Sequence, residues 1–332
     1  MNPAKQNFTT PIQLRDTIYA FQSSRIVLTA YELDIFTHIE EEGSTSLAVA
    51  EALKTNPRAT DRLMNALCAI GLLQKKETLF FTTTFSQYYL SKKSSGYMKG
   101  FMHTINMWDT WTSLTDVVKT GKSQQRKLRN ERGEKWAESF IGAMHERASR
   151  QAGEIIDKID LNDIHSMLDI GGGSGVYAMQ FVKKNALNKA TVFDLPEIIP
   201  ITKKYIDNEG LSQQFDFIDG DYNKDDCGMG YDMTFLSAIV HINSFYENQK
   251  LVQKCYDSLN KNGLIVIQDH VMSEMRTEPF AGALFALNML VGTENGDTYT
   301  ESEIRGWLIH SGFSEIIRVE TFNNAMMIGR KR

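Results

Sequence analysis

From residue 164 onward, short apolar runs alternate with longer amphipathic stretches. Strands that are buried on both faces have nearly continuous apolar sequences, so this pattern predicts a mostly parallel sheet covered by helices. We predict seven strands: Ser166–Ile170, Ala190–Asp194, Phe215–Asp219, Met233–Val240, Leu264–Gln268, Phe313–Thr321 and Ala325–Gly329. Turn residues at 207–210 and 260–263 predict helix ends before the third and fifth strands. The predicted fold class of this half is therefore α/β and Rossmann-like.

The first hundred residues have a helical pattern instead. Apolar residues between Ile12 and Phe36 recur mostly at helical spacing and predict one or two amphipathic helices. The next predicted elements are a helix that Ser44 and Thr45 cap and that runs to about Leu53, and a second helix from Ala59 to Ile70. The two strands of a hairpin follow over 74–76 and 79–83. A helix, turn, helix and hairpin in this order predict a winged-helix unit.

A third region lies between these halves. It contains two predicted helical stretches, one with Trp108 and Trp111 and the other from about Trp136 to Arg150. The Lys- and Arg-rich segment from 121 to 133 separates them and is predicted to be a solvated loop. The sequence thus predicts a winged-helix domain over 1–100, linking helices over 101–150 and an α/β domain over 151–332.

The first predicted strand runs into a glycine-rich turn, Asp-Ile-Gly-Gly-Gly-Ser-Gly, over 169–175. Glycine allows positive φ and lets backbone N–H groups approach a ligand closely. A helix that starts near Val176 would point its positive N-terminal end at that ligand. A dinucleotide-binding turn needs a small residue at position 176, so valine there disfavours an NAD-dependent oxidoreductase. The turn therefore predicts a phosphate- or nucleoside-binding site other than a dinucleotide site.

Acidic residues follow the next two predicted strands. Asp194 ends the second strand, where a carboxylate can accept hydrogen bonds from both ribose hydroxyls. After the third strand, Asp221 can accept a hydrogen bond from an adenine amino group, and Tyr222 can supply an aromatic surface beside that ring. Ligands of open α/β sheets bind at the carboxyl ends of the strands, so these positions favour a bound adenosine.

His241 follows the fourth predicted strand and Asp269 follows the fifth. A lone histidine is more often a structural hydrogen-bonding residue, but this one falls where the ligand cleft is predicted. Neutral imidazole can remove a proton from a phenol-like hydroxyl near neutral pH. A carboxylate at 269 could orient that ring, or it could be a solvated loop acid. The pattern thus offers His241 as a general base with Asp269 as its partner.

Together, these motifs resemble the caffeate and hydroxyindole (plant-type) group of class I S-adenosylmethionine-dependent O-methyltransferases, and the similarity covers nearly the whole chain. The resemblance rests on Leu-Asp-Ile-Gly-Gly-Gly-Ser-Gly, Phe-Asp-Leu-Pro, Gly-Asp-Tyr, His241 and Leu-Ile-Val-Ile-Gln-Asp. It implies a metal-independent homodimer that dimerises through its N-terminal domain. It also implies methylation of a hydroxyl on a small, usually aromatic molecule, with His241 as the base.

The resemblance also assigns binding residues. For the S-adenosylmethionine cofactor we expect Asp169, Gly171, Gly173, Gly175, Asp194, Leu195, Asp221, Tyr222 and Ser237. For the substrate we expect His103, Met107, Trp108, Met144, Asn288 and Met289, and weigh Trp111, Phe140 and Phe285 beside them. Each of these apolar side chains could equally fill a core, because methionine and aromatic residues at helical spacing usually do.

Three positions depart from the group's usual pattern. His241 is followed by Ile242 and Asn243 where Asp and Trp are common, and Ser237 replaces a common lysine. The second acid that flanks the base in plant enzymes corresponds to Asp297. Because of these departures, two alternatives to O-methylation remain. The protein could methylate carbon or nitrogen, or it could bind the cofactor and catalyse a reaction other than methyl transfer.

Charge and composition narrow the alternatives. The chain has 332 residues and a net charge of −5, with no overall electrostatic signature for nucleic acid. Residues 1–100 carry 11 Lys and Arg against 9 Asp and Glu, too few cations for a DNA-binding winged helix, although a ligand-responsive regulator remains the alternative of another class. Three widely spaced cysteines and the lack of a long apolar run predict a cytoplasmic protein with reduced thiols and no membrane segment.

Overall fold

A computed structural model describes residues 8–123, 133–322 and 324–332 of the chain. Residues 124–132 of the predicted solvated loop lie outside these ranges, so that prediction stays open. The described chain separates into two compact units, whose boundary lies between Trp108 and Asp109. Within the described ranges, every helix is too short or too polar to cross a membrane.

The N-terminal unit contains the predicted winged-helix elements. Its elements are α1 (Pro11–Glu32), β1 (Ser44–Thr45), α2 (Ser46–Leu53), α3 (Pro57–Ala69), β2 (Leu73–Lys76), β3 (Leu79–Thr82), α4 (Thr84–Leu90) and α5 (Phe101–Trp111), the last of which runs three residues past the boundary. The three strands form an antiparallel sheet in the order β1-β3-β2.

Local side chains explain where the N-terminal helices begin. The hydroxyl of Thr45 accepts the backbone N–H of Ala48, and the side chain of Asn56 accepts that of Ala59. These bonds satisfy backbone donors at the start of α2 and α3 that have no partner inside the helix. Fully buried residues then close the core of this unit: Tyr31, Ile35, Phe36, Met64, Leu67 and Phe80.

The C-terminal unit is a seven-stranded sheet with helices on both faces. Its elements are α6 (Leu114–Thr120), α7 (Glu134–Ser149), α8 (Ala152–Asp157), β4 (Ser166–Ile170), α9 (Val176–Lys184), β5 (Lys189–Asp194), α10 (Ile199–Asn208), β6 (Phe215–Asp219), β7 (Tyr231–Ser237), α11 (Phe245–Ser258), β8 (Leu259–Asp269), α12 (Phe280–Gly292), α13 (Glu301–His310), β9 (Phe313–Glu320) and β10 (Ala325–Lys331). All seven predicted strands are present.

The strand order is β6-β5-β4-β7-β8-β10-β9. The five strands from β4 to β8 run parallel, and β10 is antiparallel to both of its neighbours. Chain order reverses between β4 and β7, which makes the carboxyl ends of these two strands the switch point at which such sheets bind ligands. Alternate residues of β4 enter two different cores, since Met167 packs in one apolar cluster while Leu168 and Ile170 pack in the other.

The structure corrects three predicted boundaries. The strand predicted to continue to Val240 ends at Ser237, because Ala238 has a left-handed backbone with φ of 58°. The helix end predicted at 260–263 is also wrong, since α11 ends at Ser258 and β8 starts at Leu259. The described residues of 101–123 and 133–150 form three helices where two were predicted. The first two are separated at Ser113, whose hydroxyl donates to the carbonyl of Thr110 and so competes with helical pairing.

Candidate active site

The glycine turn between β4 and α9 has a left-handed backbone at three positions, which favours glycine. Gly171, Gly173 and Gly175 have φ values of 65°, 58° and 72°. A Cβ atom on Gly171 would lie 2.2 Å from Cδ1 of Ile239, which belongs to the loop after β7. The turn therefore packs directly against the loop that carries His241.

Asp169 lies directly behind this turn and is almost fully buried. Burial raises its pKa to about 7, and the negative charge of Asp194 adds to this effect, while a backbone hydrogen bond at Ala178 opposes it. Its Oδ2 atom has no hydrogen-bond partner within the described part of the chain. A cationic group in the cleft would favour the ionised carboxylate.

Asp194, at the end of β5, joins the second strand to the turn. Its carboxylate accepts the backbone N–H of Gly173 and that of Leu195, both at 2.8 Å. These bonds fix the carboxylate at the carboxyl edge of the sheet, as the predicted ribose site requires. Its role towards a ligand stays a prediction.

Asp221 and Tyr222 follow β6 at the same edge of the sheet. Burial would raise the pKa of Asp221, but hydrogen bonds from Lys224 and the backbone of Asn223 outweigh it and hold this pKa below its usual value. The hydroxyl of Tyr222 donates to Oδ1 of Asn243 at 3.4 Å. Asp221 is therefore ionised at neutral pH, and both of its oxygen atoms are hydrogen-bond acceptors.

His241 and Asp269 form a buried pair. His241 lies on a short 3₁₀ helix, Val240–Ile242, three residues beyond the end of β7. Its Nδ1 atom is 2.9 Å from each carboxylate oxygen of Asp269, at the end of β8. Both residues are less than 9% exposed. Burial alone would raise the pKa of Asp269. The charge and hydrogen bond of His241, together with His270, outweigh burial and hold this pKa below its usual value.

The backbone of His241 is held by the segment after α12. Its carbonyl accepts the N–H of Asp297 at 3.0 Å, and a Cβ atom on Gly296 would lie 2.4 Å from the same oxygen. The side chain of Asp297, the position of the second acid, is half-exposed and lies 3.6 Å from Arg276. In this chain the residue therefore positions His241 through its main chain.

Asn243, where tryptophan is common, is part of a polar network that was not predicted from the sequence. Its side chain accepts from Tyr222 and Asn223 and donates to Asn248. The hydroxyl of Tyr299 donates to its backbone carbonyl at 2.6 Å. These partners lie up to 56 residues away, so local sequence carries no signal for the network.

His145, on α7, is a second contact of the turn that was not predicted from the sequence. Its Nδ1 atom is 2.9 Å from the hydroxyl of Ser174 in the glycine turn, and its ring stacks on Tyr205. On the same helix, Cδ1 of Ile141 would lie 3.5 Å from a Cβ atom on Gly173. This helix, which also carries the predicted substrate residue Met144, thus rests on the turn.

The remaining predicted residues lie in different environments. The Nε1–H of Trp111 donates to Oδ1 of Asn288 at 3.0 Å, and Met289 is buried. The hydroxyl of Ser237 donates to Oε1 of Gln268. His103, Met107 and Trp108 belong to the N-terminal unit, where the ring of Trp108 packs against Arg25. The substrate roles of these residues and the cofactor role of Ser237 stay predictions.

A glycine turn after the first strand, acids after the next two and a buried histidine–aspartate pair at one edge of the sheet are typical of a Rossmann-like, ligand-binding domain. An O-methyltransferase domain model matches residues 111–314, and an O-methyltransferase dimerisation domain model matches residues 16–92. The chain therefore belongs to the S-adenosylmethionine-dependent O-methyltransferase family, which confirms the family and cofactor that the sequence predicted.

Three known proteins match this chain over nearly their whole lengths. The tetracenomycin polyketide synthesis 8-O-methyl transferase of Streptomyces glaucescens is 25% identical over 94% of both chains. The 3-hydroxy-5-methyl-1-naphthoate 3-O-methyltransferase of Streptomyces sahachiroi is 26% identical over 92% of this chain and 90% of its own. Human N-acetylserotonin methyltransferase, solved with S-adenosylmethionine, is 23% identical and has a TM-score of 0.82 over 100% of this chain and 99% of its own. This likeness confirms the predicted fold class.

Proposed function

We propose that this chain transfers a methyl group from S-adenosylmethionine to a hydroxyl oxygen of a small aromatic molecule, with His241 as the general base. The observation that carries the proposal is the buried pair of His241 and Asp269, placed beside the glycine turn at the switch point of the sheet. Both relatives from Streptomyces are named as O-methyltransferases, and one acts on a hydroxylated naphthoate, which supports an aromatic acceptor.

The chain's residues fit the cofactor. Asp194 would accept hydrogen bonds from the ribose, Asp221 and Tyr222 would face the adenine, and the turn over 171–175 would hold the methionine part. Asp169 supports this fit, because its buried Oδ2 atom lacks a partner and its charge would be favoured by a nearby cation. When bound, S-adenosylmethionine supplies the electrophilic methyl group.

His241 would prepare the acceptor oxygen. Because the carboxylate of Asp269 accepts the proton on Nδ1, the lone pair of the imidazole is left on Nε2. This nitrogen can remove the proton from a phenolic hydroxyl, and Asp269 then stabilises the imidazolium that forms. A positioned base of this kind typically contributes roughly 10²–10⁴-fold to the rate. Phe285, which lies edge-on to the imidazole at 4.8 Å, supplies an apolar wall for an aromatic ring.

The test is to incubate the purified chain with methyl-labelled S-adenosylmethionine and a panel of hydroxylated naphthalenes. We expect label in a methyl ether, identified by mass spectrometry, and none in 2-methoxynaphthalene, which has no free hydroxyl. Label attached to carbon would contradict oxygen transfer. Failure to bind the cofactor in calorimetry would contradict the proposal as a whole.

We also propose that the N-terminal unit mediates a homodimer. Besides the dimerisation domain match, α1 leaves five large apolar side chains at least 49% exposed: Ile12, Leu14, Ile18, Tyr19 and Phe21. An exposed apolar surface of this size on one helix is typical of a protein interface. Sedimentation should give twice the 37.7 kDa chain mass, and Ile18→Glu should give the monomer. The control Ile309→Glu, on α13, should remain dimeric; a monomeric unmodified protein would contradict the proposal.

A further inference from the structure

His270 is a buried histidine beside the proposed base. Its side chain has no role in the proposed mechanism. It follows Asp269 directly at the end of β8 and is 6% exposed. Its backbone N–H donates to the carboxylate of Asp269 at 2.8 Å. Its ring lies 4.6 Å from that of Phe285, which contacts the ring of His241 at 4.8 Å. Two imidazoles therefore border one aromatic side chain.

The ring nitrogens of His270 have no hydrogen-bond partner among the residues that the structure describes. Nδ1 is completely buried, whereas Nε2 is not enclosed in the same way. A buried polar atom without a partner costs about 1–3 kcal/mol, so such an atom beside an active site needs an explanation. A bound ligand that forms a hydrogen bond with the ring would explain it.

Electrostatics settle which bond the ring can make. Burial lowers the pKa of His270 to about 4; the charge of Asp269 opposes this shift, and positive charge at His241 and Arg147 adds to it. The ring is therefore neutral at pH 7 and carries one proton. An enclosed N–H without an acceptor is rarer in proteins than an enclosed lone pair, which places this proton on Nε2. His270 thus offers a single N–H donor.

We propose that His270 is a substrate-binding residue whose Nε2–H donates to an oxygen acceptor next to the reacting hydroxyl of the aromatic substrate. This inference rests on the proposed function, and it narrows the substrate class to hydroxyaromatics with a neighbouring carboxylate or carbonyl oxygen. The positive charge of Arg147 near this ring favours an anionic oxygen. Phe285 would contact the aromatic ring between the two polar ends.

The test compares two probes on the enzyme loaded with S-adenosylhomocysteine. The first, 3-hydroxy-2-naphthoate, has a carboxylate beside its hydroxyl, and the second, 2-naphthol, lacks it. Calorimetry should show that the unmodified enzyme binds the first about tenfold more tightly, as one added hydrogen bond to a charged group predicts. His270→Phe should bind both probes equally. His270→Gln keeps an N–H donor and should retain part of the preference.

Controls separate a binding role from a structural one. His310→Phe replaces an exposed histidine on α13 and should keep the full preference. Both position-270 variants should bind S-adenosylhomocysteine like the unmodified enzyme, which shows that the fold is intact. An unchanged preference in His270→Phe, equal affinity in the unmodified enzyme, or no binding of either probe would overturn the proposal.

Methyl transfer, measured on the same proteins supplied with S-adenosylmethionine, distinguishes this proposal from the one on which it rests. If the preference depends on His270 but no methyl ether forms, the proposed reaction fails while the binding role stands. If ether forms normally and His270→Phe keeps the preference, the reaction stands and the binding role fails.

Discussion

The Nδ1 atom of His241 lies 2.9 Å from both carboxylate oxygens of Asp269, and both side chains are buried. A carboxylate in this position has two effects on the imidazole. It selects the tautomer with a free Nε2 lone pair, and it stabilises the cation that forms when this nitrogen takes a proton. In the proposed mechanism the pair would therefore act as one base.

Asp269→Asn tests this coupling. An amide has no charge to stabilise the imidazolium and can favour the wrong tautomer, so we expect the methyl-transfer rate to fall by about 10²-fold or more. Rapid-quench measurement of one turnover isolates this step. Asp257→Asn, on the exposed face of α11, is the matched control and should keep the normal rate. Equal rates in the two variants would show that the contact has no role in the reaction.

Asp169→Asn should change how stability depends on pH. The folded pKa of about 7 is higher than the ordinary value of an aspartate in an unfolded chain, about 3.9. The unfolded state therefore ionises first, and the protein loses stability as pH rises from about 4 to about 7. Asparagine does not ionise, so the variant should be more stable at pH 8, by up to about 4 kcal/mol.

Urea unfolding of both proteins without cofactor, at pH 5 and at pH 8, measures this difference. The difference in the free energy of unfolding between the variant and the unmodified protein should be smaller at pH 5. At that pH the unfolded state of the unmodified protein has gained only part of the advantage that ionisation of Asp169 gives it. A gap of the same size at both pH values would contradict a raised pKa for Asp169.

Gly172→Ala should disturb the turn through packing alone, because the φ of this residue is not positive. A Cβ atom there would lie 2.8 Å from the carboxyl carbon of Asp169 and 2.9 Å from Cγ1 of Val192. Crowding of this kind typically costs about 1–3 kcal/mol, and cofactor affinity should fall with it. Urea unfolding and calorimetry with S-adenosylmethionine measure the two effects.

Gly306→Ala is the control for that substitution. Gly306 lies within α13, and a Cβ atom there meets nothing within 4 Å. Alanine inside a helix is favoured over glycine by roughly 0.5–1 kcal/mol, so this variant should be slightly more stable and should bind the cofactor normally. If Gly172→Ala behaves in the same way, the turn is not tightly packed.

Much of the fold could be predicted because its signals are local. The seven strands appear as apolar runs, and the turn at 171–175 appears as a glycine cluster directly after one of them. The rule that ligands bind at the carboxyl ends of strands then selected Asp194, Asp221 and His241 without any alignment. The structure places all three at that edge of the sheet.

The missed features depend on contacts between distant residues. The hydrogen bond between His145 and Ser174 spans 29 residues. The ring of Phe285, within α12, meets that of His270 from the far side of the loop that follows β8. The early end of β7 was missed for another reason. Alanine at 238 gives no local signal for a left-handed conformation, which the surrounding fold imposes.

The most direct test of the account is one turnover of methyl transfer by His241→Ala, with His310→Ala as the control and the affinity for S-adenosylmethionine measured alongside. We predict that the methyl-transfer rate of His241→Ala is roughly 10²–10⁴-fold lower than that of the unmodified protein. Its affinity for the cofactor, and the rate of His310→Ala, should be unchanged. A normal rate in His241→Ala would contradict the assignment of this histidine as the base and leave methyl transfer to positioning alone.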